Sequence, residues 1–196
     1  MSKLLIASKN PGKVREIKEI FSGLPFDILS LSDFGDDTNV KETGKTFEEN
    51  AVLKARTIGK KTGLMTLADD SGLEVDALGG KPGIYSARYT VGTDEDRVEK
   101  VLKEMSGVPK KKRTARFVAV VALYDPQADK AFTFRGESEG YLTQKPSGRN
   151  GFGYDPIFYN FDLDKVNAEA SPAEKNNVSH RARALLKCRN KLLSLY

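Results

Sequence analysis

Cysteine, histidine and tryptophan are nearly missing from this 196-residue chain, which has one cysteine, one histidine and no tryptophan. The lone Cys188 excludes an intramolecular disulfide and any cysteine-rich zinc site. It lies in a helical pattern near the C-terminus and reads as a buried spectator thiol rather than a nucleophile. The lone His180 excludes a His-based metal site or a His pair, and a single histidine argues against a serine hydrolase. No apolar run approaches the length that spans a bilayer, and no signal peptide opens the chain. These absences predict a soluble cytoplasmic protein with no membrane partner. Internal repeats and low-complexity segments are absent too.

What is present suits one globular domain with a sizeable core: 39% of residues are hydrophobic and 30% charged. No linker marks a boundary, so residues 1–196 read as a single two-lobed domain. The net charge of +5 fits an anionic partner without separating nucleic acid from nucleotide.

Strands and helices alternate early. A buried strand is expected over 3–8, a helix over 11–22 with Pro11 in its first turn, and a strand over 26–31. A polar loop follows over 32–45. Thr46 and Glu49 form a capping box that opens a helix to about Lys61. Residues 64–68 read as a short strand ending at Asp69-Asp70, with another strand over 73–77. Thr93 caps a helix to about Ser106. Residues 114–124 are the strongest strand and pair with 130–138 as a hairpin. Turns and strand fragments fill 139–160, and helices start near Ser171 and Ser179. The order predicts a mixed sheet flanked by helices.

Five stretches could carry chemistry. "ASKNPGKV" (7–14) places Ser8, Lys9, Asn10, Pro11, Gly12 and Lys13 between a strand and a helix. Unpaired N–H groups at a helix start, with two lysines beside them, suit a phosphate group; an ordinary capped helix with surface lysines is the plainer reading. "LADDSGL" (67–73) puts two carboxylates at a strand end, where α/β sheets bind ligands. Neighbouring strand residues face opposite ways, so Asp70 is assigned to the crevice and Asp69 to orienting it; an Asx-turn is the alternative. In "TFEENAVLKA" (46–55), Asn50 and Lys54 share a helix face, Asn50 reading as solvated, and Glu42 just ahead could help hold a hard cation such as Mg²⁺. "SGRNGFGYDP" (147–156) holds Phe152 on a glycine-rich loop, ready to stack on a flat ligand or to fold back as a lid. "EKNNVSHRARA" (174–184) gathers Lys175, Ser179, His180 and Arg181 near a helix start, as donors for base carbonyls or as an exposed cap. The run Lys110-Lys111-Lys112-Arg113 reads as a solvated loop.

"SKNPGK", "TFEENAVLKA", "ADDSGL", "GGKPGIYSARY", "GFGYDP" and "SHR" occur in the order found in the inosine/xanthosine triphosphate pyrophosphatase family, which the chain resembles from about Lys3 to its last helix. The resemblance implies an elongated α/β fold with a long mixed sheet and two lobes around a central cleft, a homodimer, and Mg²⁺ dependence. It implies cleavage of abnormal purine nucleoside triphosphates (ITP, dITP, XTP) to the monophosphate and pyrophosphate. Residue by residue, Ser8 to Lys13 match the phosphate-binding stretch and Asp70 the catalytic acceptor and metal ligand. Ser71 matches a substrate contact; Phe152, Gly153, Tyr154 and Asp155 match the base loop; Lys175, His180 and Arg181 match further substrate contacts. Lys54 is assigned to charge on the departing pyrophosphate. Many relatives carry a Glu where this chain has Lys41, so the second acidic metal ligand is Glu42 or a water takes its place. Two alternatives stand beside this reading. One is a Maf-type pyrophosphatase of different base specificity, disfavoured by the "GFGYDP" and "SHR" pair. The other is a non-enzymatic nucleic-acid-binding module, disfavoured because a four-residue basic run is a short footprint.

Overall fold

The computed structural model describes residues 2–35 and 38–194. The chain runs β1 (Ser2–Ile6), α1 (Pro11–Ile20), β2 (Phe26–Ser30), α2 (Leu31–Phe34), α3 (Phe47–Thr62), β3 (Met65–Val75), α4 (Asp94–Glu104), β4 (Thr114–Asp125), β5 (Lys130–Leu142), β6 (Phe158–Asn160), β7 (Lys165–Val166), α5 (Pro172–Val178) and α6 (His180–Leu193), with short 3₁₀ turns between. The strands form one mixed sheet in the order β2-β1-β3-β4-β5-β6-β7. β2 and β3 pair parallel to β1, with Leu4 opposite Ile28 on one side and Met65 on the other. β6 is antiparallel to both β5 and β7.

The chain divides into two compact units. Unit one holds the residues up to Asp70, Ala119–Arg135, and those from Arg181 on; unit two holds Ser71–Val118 and Gly136–His180. In unit one, Leu4, Ile6, Leu67, Val121 and Leu123 of the strands pack with Ile17 and Phe21 of α1 and Ala184, Leu185, Cys188 and Leu192 of α6. The three- and four-residue spacings on α1 and α6 are those of one buried helix stripe. In unit two, Val98 and Val101 of α4 and Met105, which follows its last turn, pack with Leu73, Val75, Phe117, Leu142 and Phe158. β4 is buried on both faces through its middle, which is why it reads as an unbroken apolar run.

Four expectations need correction. The two short strands over 64–68 and 73–77 are one eleven-residue strand, β3, so Asp69 and Asp70 are mid-strand. Turn propensity of Asp-Asp-Ser-Gly is overridden by sheet pairing. Small residues persist there because a side chain at Gly72 would meet the Gly83 carbonyl and the Ser86 hydroxyl. The loop expected over 32–45 opens with α2, capped by Ser30 and Asp33; residues 36 and 37 of that stretch lie outside the described residues. Arg113 is buried, not solvated: its guanidinium donates to the carbonyls of Leu142, Met105 and Thr143 at 2.8, 2.9 and 2.9 Å, while Lys110 to Lys112 are exposed. Asn50 is fully buried rather than solvated. Among the described residues no helix is long and apolar enough to cross a membrane.

Candidate active site

In unit one the helix start is built as an N-cap. The Asn10 side chain accepts from the Lys13 N–H at 3.1 Å, and the Asn10 N–H donates to Ser8 at 3.2 Å, with Pro11 in the first turn. Lys9, Asn10 and Pro11 are exposed and Ser8 and Gly12 half-buried. Lys13 turns inward instead of outward and, half-buried, forms an ion pair with the buried Asp69. Arg181 completes that set: its Nε donates to Asp69 at 2.9 Å and its Nη1 to Glu16 at 2.6 Å. Burial works against a charged Asp69, but Arg181 and Lys13 outweigh it and hold the carboxyl well below the ordinary range. Lys13, half-buried, is held below the usual lysine range by loss of solvent and by Arg181 and Lys54, in spite of Asp69.

Asp70 points the other way along β3, as strand alternation requires. Lys54 reaches it from α3 at 3.1 Å and reaches Glu42 at 2.8 Å. Burial raises Asp70, Lys54 opposes this, and Glu42 adds to the rise. Lys54, for which burial is outweighed by Asp70 and Glu42, is raised. The Oδ2 of Asp70 is buried and accepts no hydrogen bond from the described residues. One turn ahead of Lys54, Asn50 accepts the Gly44 N–H at 2.8 Å and so fixes the loop that carries Glu42; its Nδ2 is buried with no acceptor among the described residues. The two carboxylates therefore differ. Asp69 is neutralised by two cations, whereas Asp70 keeps an oxygen open for a proton, a water or a cation. Among the described residues no group of three or more His, Cys, Asp or Glu is placed to cage a metal.

In unit two, Phe152 and Gly153 line an open hollow of about 720 Å³ with Asp94, Val98, Leu102 and Pro156. The Gly153 N–H donates to Asp94, at the start of α4, at 2.7 Å. Asp155 is buried and accepts from the Phe152 N–H at 3.0 Å and from Lys175 at 2.5 Å. Lys175 also stands over the Phe152 ring, 4.9 Å from its centre. Tyr154 belongs to the core, its hydroxyl donating to the Ser86 carbonyl at 2.9 Å. His180 is no exposed cap: it is buried and stacks on Phe117 at 4.9 Å. Ser71, the first residue of unit two, is half-buried.

The structure thus brings together Lys13 with Asp69 and Arg181, Lys54 with Glu42 and Asp70, and Phe152 with Asp155 and Lys175. It separates the "SHR" residues, placing His180 against Phe117 and Arg181 in the Asp69 set. Sequence reasoning missed Glu16 and Asp94. Glu16 had a signal, because it lies one turn from Lys13 beside the apolar residues of α1; Asp94 had none beyond its place at a helix start.

An α/β protein with a seven-stranded mixed sheet and charged groups buried at its strands is the class these features define. The chain belongs to the Ham1 family, whose family model matches residues 4–191. It is 51% identical to a dITP/XTP pyrophosphatase of Bacillus licheniformis, over 95% of this chain and 96% of that one. It is 50% identical to a dITP/XTP pyrophosphatase of Symbiobacterium thermophilum, over 98% of this chain and 96% of that one. A HAM1 protein structure from Coxiella burnetii superposes with a TM-score of 0.91 at 40% identity, over 99% of this chain and all of that one.

Proposed function

We propose that this chain is a nucleoside triphosphate pyrophosphatase acting on abnormal purine nucleotides, releasing pyrophosphate from ITP, dITP and XTP. The observation that carries the reading is Asp70: a buried carboxylate with one oxygen on Lys54 and the other without a partner among the described residues, in a family whose relatives bear the name dITP/XTP pyrophosphatase. A divalent cation fits this pair of acids. Mg²⁺ takes oxygen ligands, keeps several waters and is bound through one or two carboxylates plus substrate phosphates, so Asp70 and Glu42 would suffice to hold it. When bound, it would offset negative charge on the phosphate oxygens.

The residues then divide the work. Asp70 orients the attacking water and takes its proton as the bond between the α- and β-phosphates breaks. Lys54, between Glu42 and Asp70, and Lys13 at the helix start offset charge on the departing pyrophosphate, with the N–H groups after Asn10 as further donors. Ser71 contacts the substrate beside Asp70. Phe152 stacks on the purine. Lys175 and His180 lie on the base side, while Arg181 acts through Asp69, the carboxylate that it holds. By the same resemblance, residues 1–196 are read as a single domain. By its resemblance we also read the chain as a cytoplasmic homodimer without a nucleic-acid partner.

The test is a panel of purine and pyrimidine nucleoside triphosphates with Mg²⁺, separating pyrophosphate from orthophosphate. Pyrophosphate release with ITP and XTP preferred over ATP, GTP and pyrimidines is expected. Orthophosphate release, or a preference for pyrimidine nucleotides as in Maf-type enzymes, would overturn the reading.

A further inference from the structure

Behind Asp155 lies a chain of buried side chains that the proposed reaction leaves unused. Ser138 on β5, Asn160 at the end of β6 and Asn167 just after β7 are 1%, 1% and 2% exposed. The polarity of this chain is determined from one end. The Asp162 N–H, which can only donate, gives its proton to the Asn160 Oδ1 at 2.9 Å. The Asn160 amide is thereby oriented, and its Nδ2 donates to Ser138 and to the Asn167 Oδ1, both at 3.0 Å. That contact orients Asn167 in turn, so its Nδ2 donates to the Asp155 Oδ1 at 2.9 Å. The last group must be an acceptor, and a carboxylate is one on both oxygens. The second oxygen, Oδ2, takes the Phe152 N–H and Lys175. Space around Asp155 is closed as well, since a Cβ on Gly151, which already sits at a φ of +81°, would overlap the Asp155 Oδ2.

We propose that Asn160 and Asn167 are positioning residues for the base end of the site: a one-way amide relay that holds Asp155 and, through it, sets Phe152 and Lys175. The inference rests on the purine-nucleotide reading above. Asp155 is then a hub and not a base reader, because both its oxygens are engaged within the protein. The relay acts on binding of the base, and the residues around Asp70 are left as they are.

The relay's direction supplies its test. Asn160→Asp keeps the shape, and the Ser138 hydroxyl can rotate to donate to it, but the bond to Asn167 becomes oxygen facing oxygen, which forces the Asn167 amide to reverse and present its oxygen to Asp155. Asp155→Asn with Asn160→Asp restores a consistent chain running the opposite way. KM and kcat for ITP, and calorimetric binding of inosine monophosphate, are measured for wild type, both single variants and the double. Asn160→Asp is expected to raise KM and weaken monophosphate binding about tenfold or more while kcat changes less, because misplacement at a distance degrades substrate positioning. The double variant is expected to recover most of that loss. Wild-type KM and binding in Asn160→Asp, or a double variant at least as impaired as the two single changes combined, would overturn the relay. If Asn160→Asp does not fold, Asn167→Ala, checked by circular dichroism, decides in its place: raised KM supports the relay and wild-type KM overturns it. Failure of the wild type to bind inosine monophosphate or to turn over ITP would instead overturn the functional reading on which the relay rests.

Discussion

Arg181 and Asp69 show how far a single residue's chemistry depends on partners remote in the chain. Arg181 is 165 positions from Glu16 and 112 from Asp69, yet its guanidinium bridges the two at hydrogen-bond distance. Removing it leaves two buried carboxylates, of which Asp69 keeps its pairing with Lys13. We therefore expect Arg181→Ala to destabilise the protein by about 3–5 kcal/mol, the cost of breaking a buried pair from one side. Arg181→Lys should recover part of this, because a point charge cannot reproduce the two-pronged contact. Urea denaturation of the three proteins measures it, and an alanine variant as stable as wild type would contradict the assignment. At this scale the sequence was legible where the signal is local: Asn10 as a cap, Lys54 beside Asn50, and Asp69 and Asp70 facing opposite ways. It was not legible where a partner comes from another element. Neither the inward turn of Lys13 nor the burial of His180 follows from neighbours in the chain.

Among the elements, α3 is the one whose ends were written in local chemistry. Thr46 caps it, accepting from the Glu49 N–H at 3.1 Å, and Gly63 ends it in the left-handed region. Its interior glycine, Gly59, has a different cause. A Cβ there would run into the Tyr124 ring of β4. Helix propensity favours Ala over Gly by about 1 kcal/mol, but overpacking a closed contact costs about 1–3 kcal/mol, so Gly59→Ala should lower stability. A denaturation midpoint at or above wild type would show that α3 has room to shift. β3 is the converse case. Its ends were readable as apolar segments, but its continuity through Asp69, Asp70, Ser71 and Gly72 depends on neighbouring strands and on Ser86, whose hydroxyl accepts from the Leu73 N–H at 2.9 Å.

For the whole molecule, alternation of strands and helices pointed to a mixed sheet flanked by helices, and the sheet order bears this out. Two lobes were expected, but the place where the chain divides lay beyond local reading, because the cuts fall within β3, β4 and β5 where no composition changes. Cys188 reports on the opening of unit one, since it is fully buried among the residues of that core. Burial also pushes its thiol well above the ordinary range, and the thiolate is the reactive form. At pH 8 the native protein should resist iodoacetamide and become labelled only across the denaturant transition; rapid native labelling would contradict this packing. The most direct test of the account is turnover of ITP by Asp70→Asn at saturating Mg²⁺. This variant keeps the side-chain shape but loses the charge and the basic oxygen. A fall of at least ~10²-fold in kcat, with the fold intact by circular dichroism, is predicted if Asp70 accepts the proton of the attacking water. Turnover near wild type would contradict it.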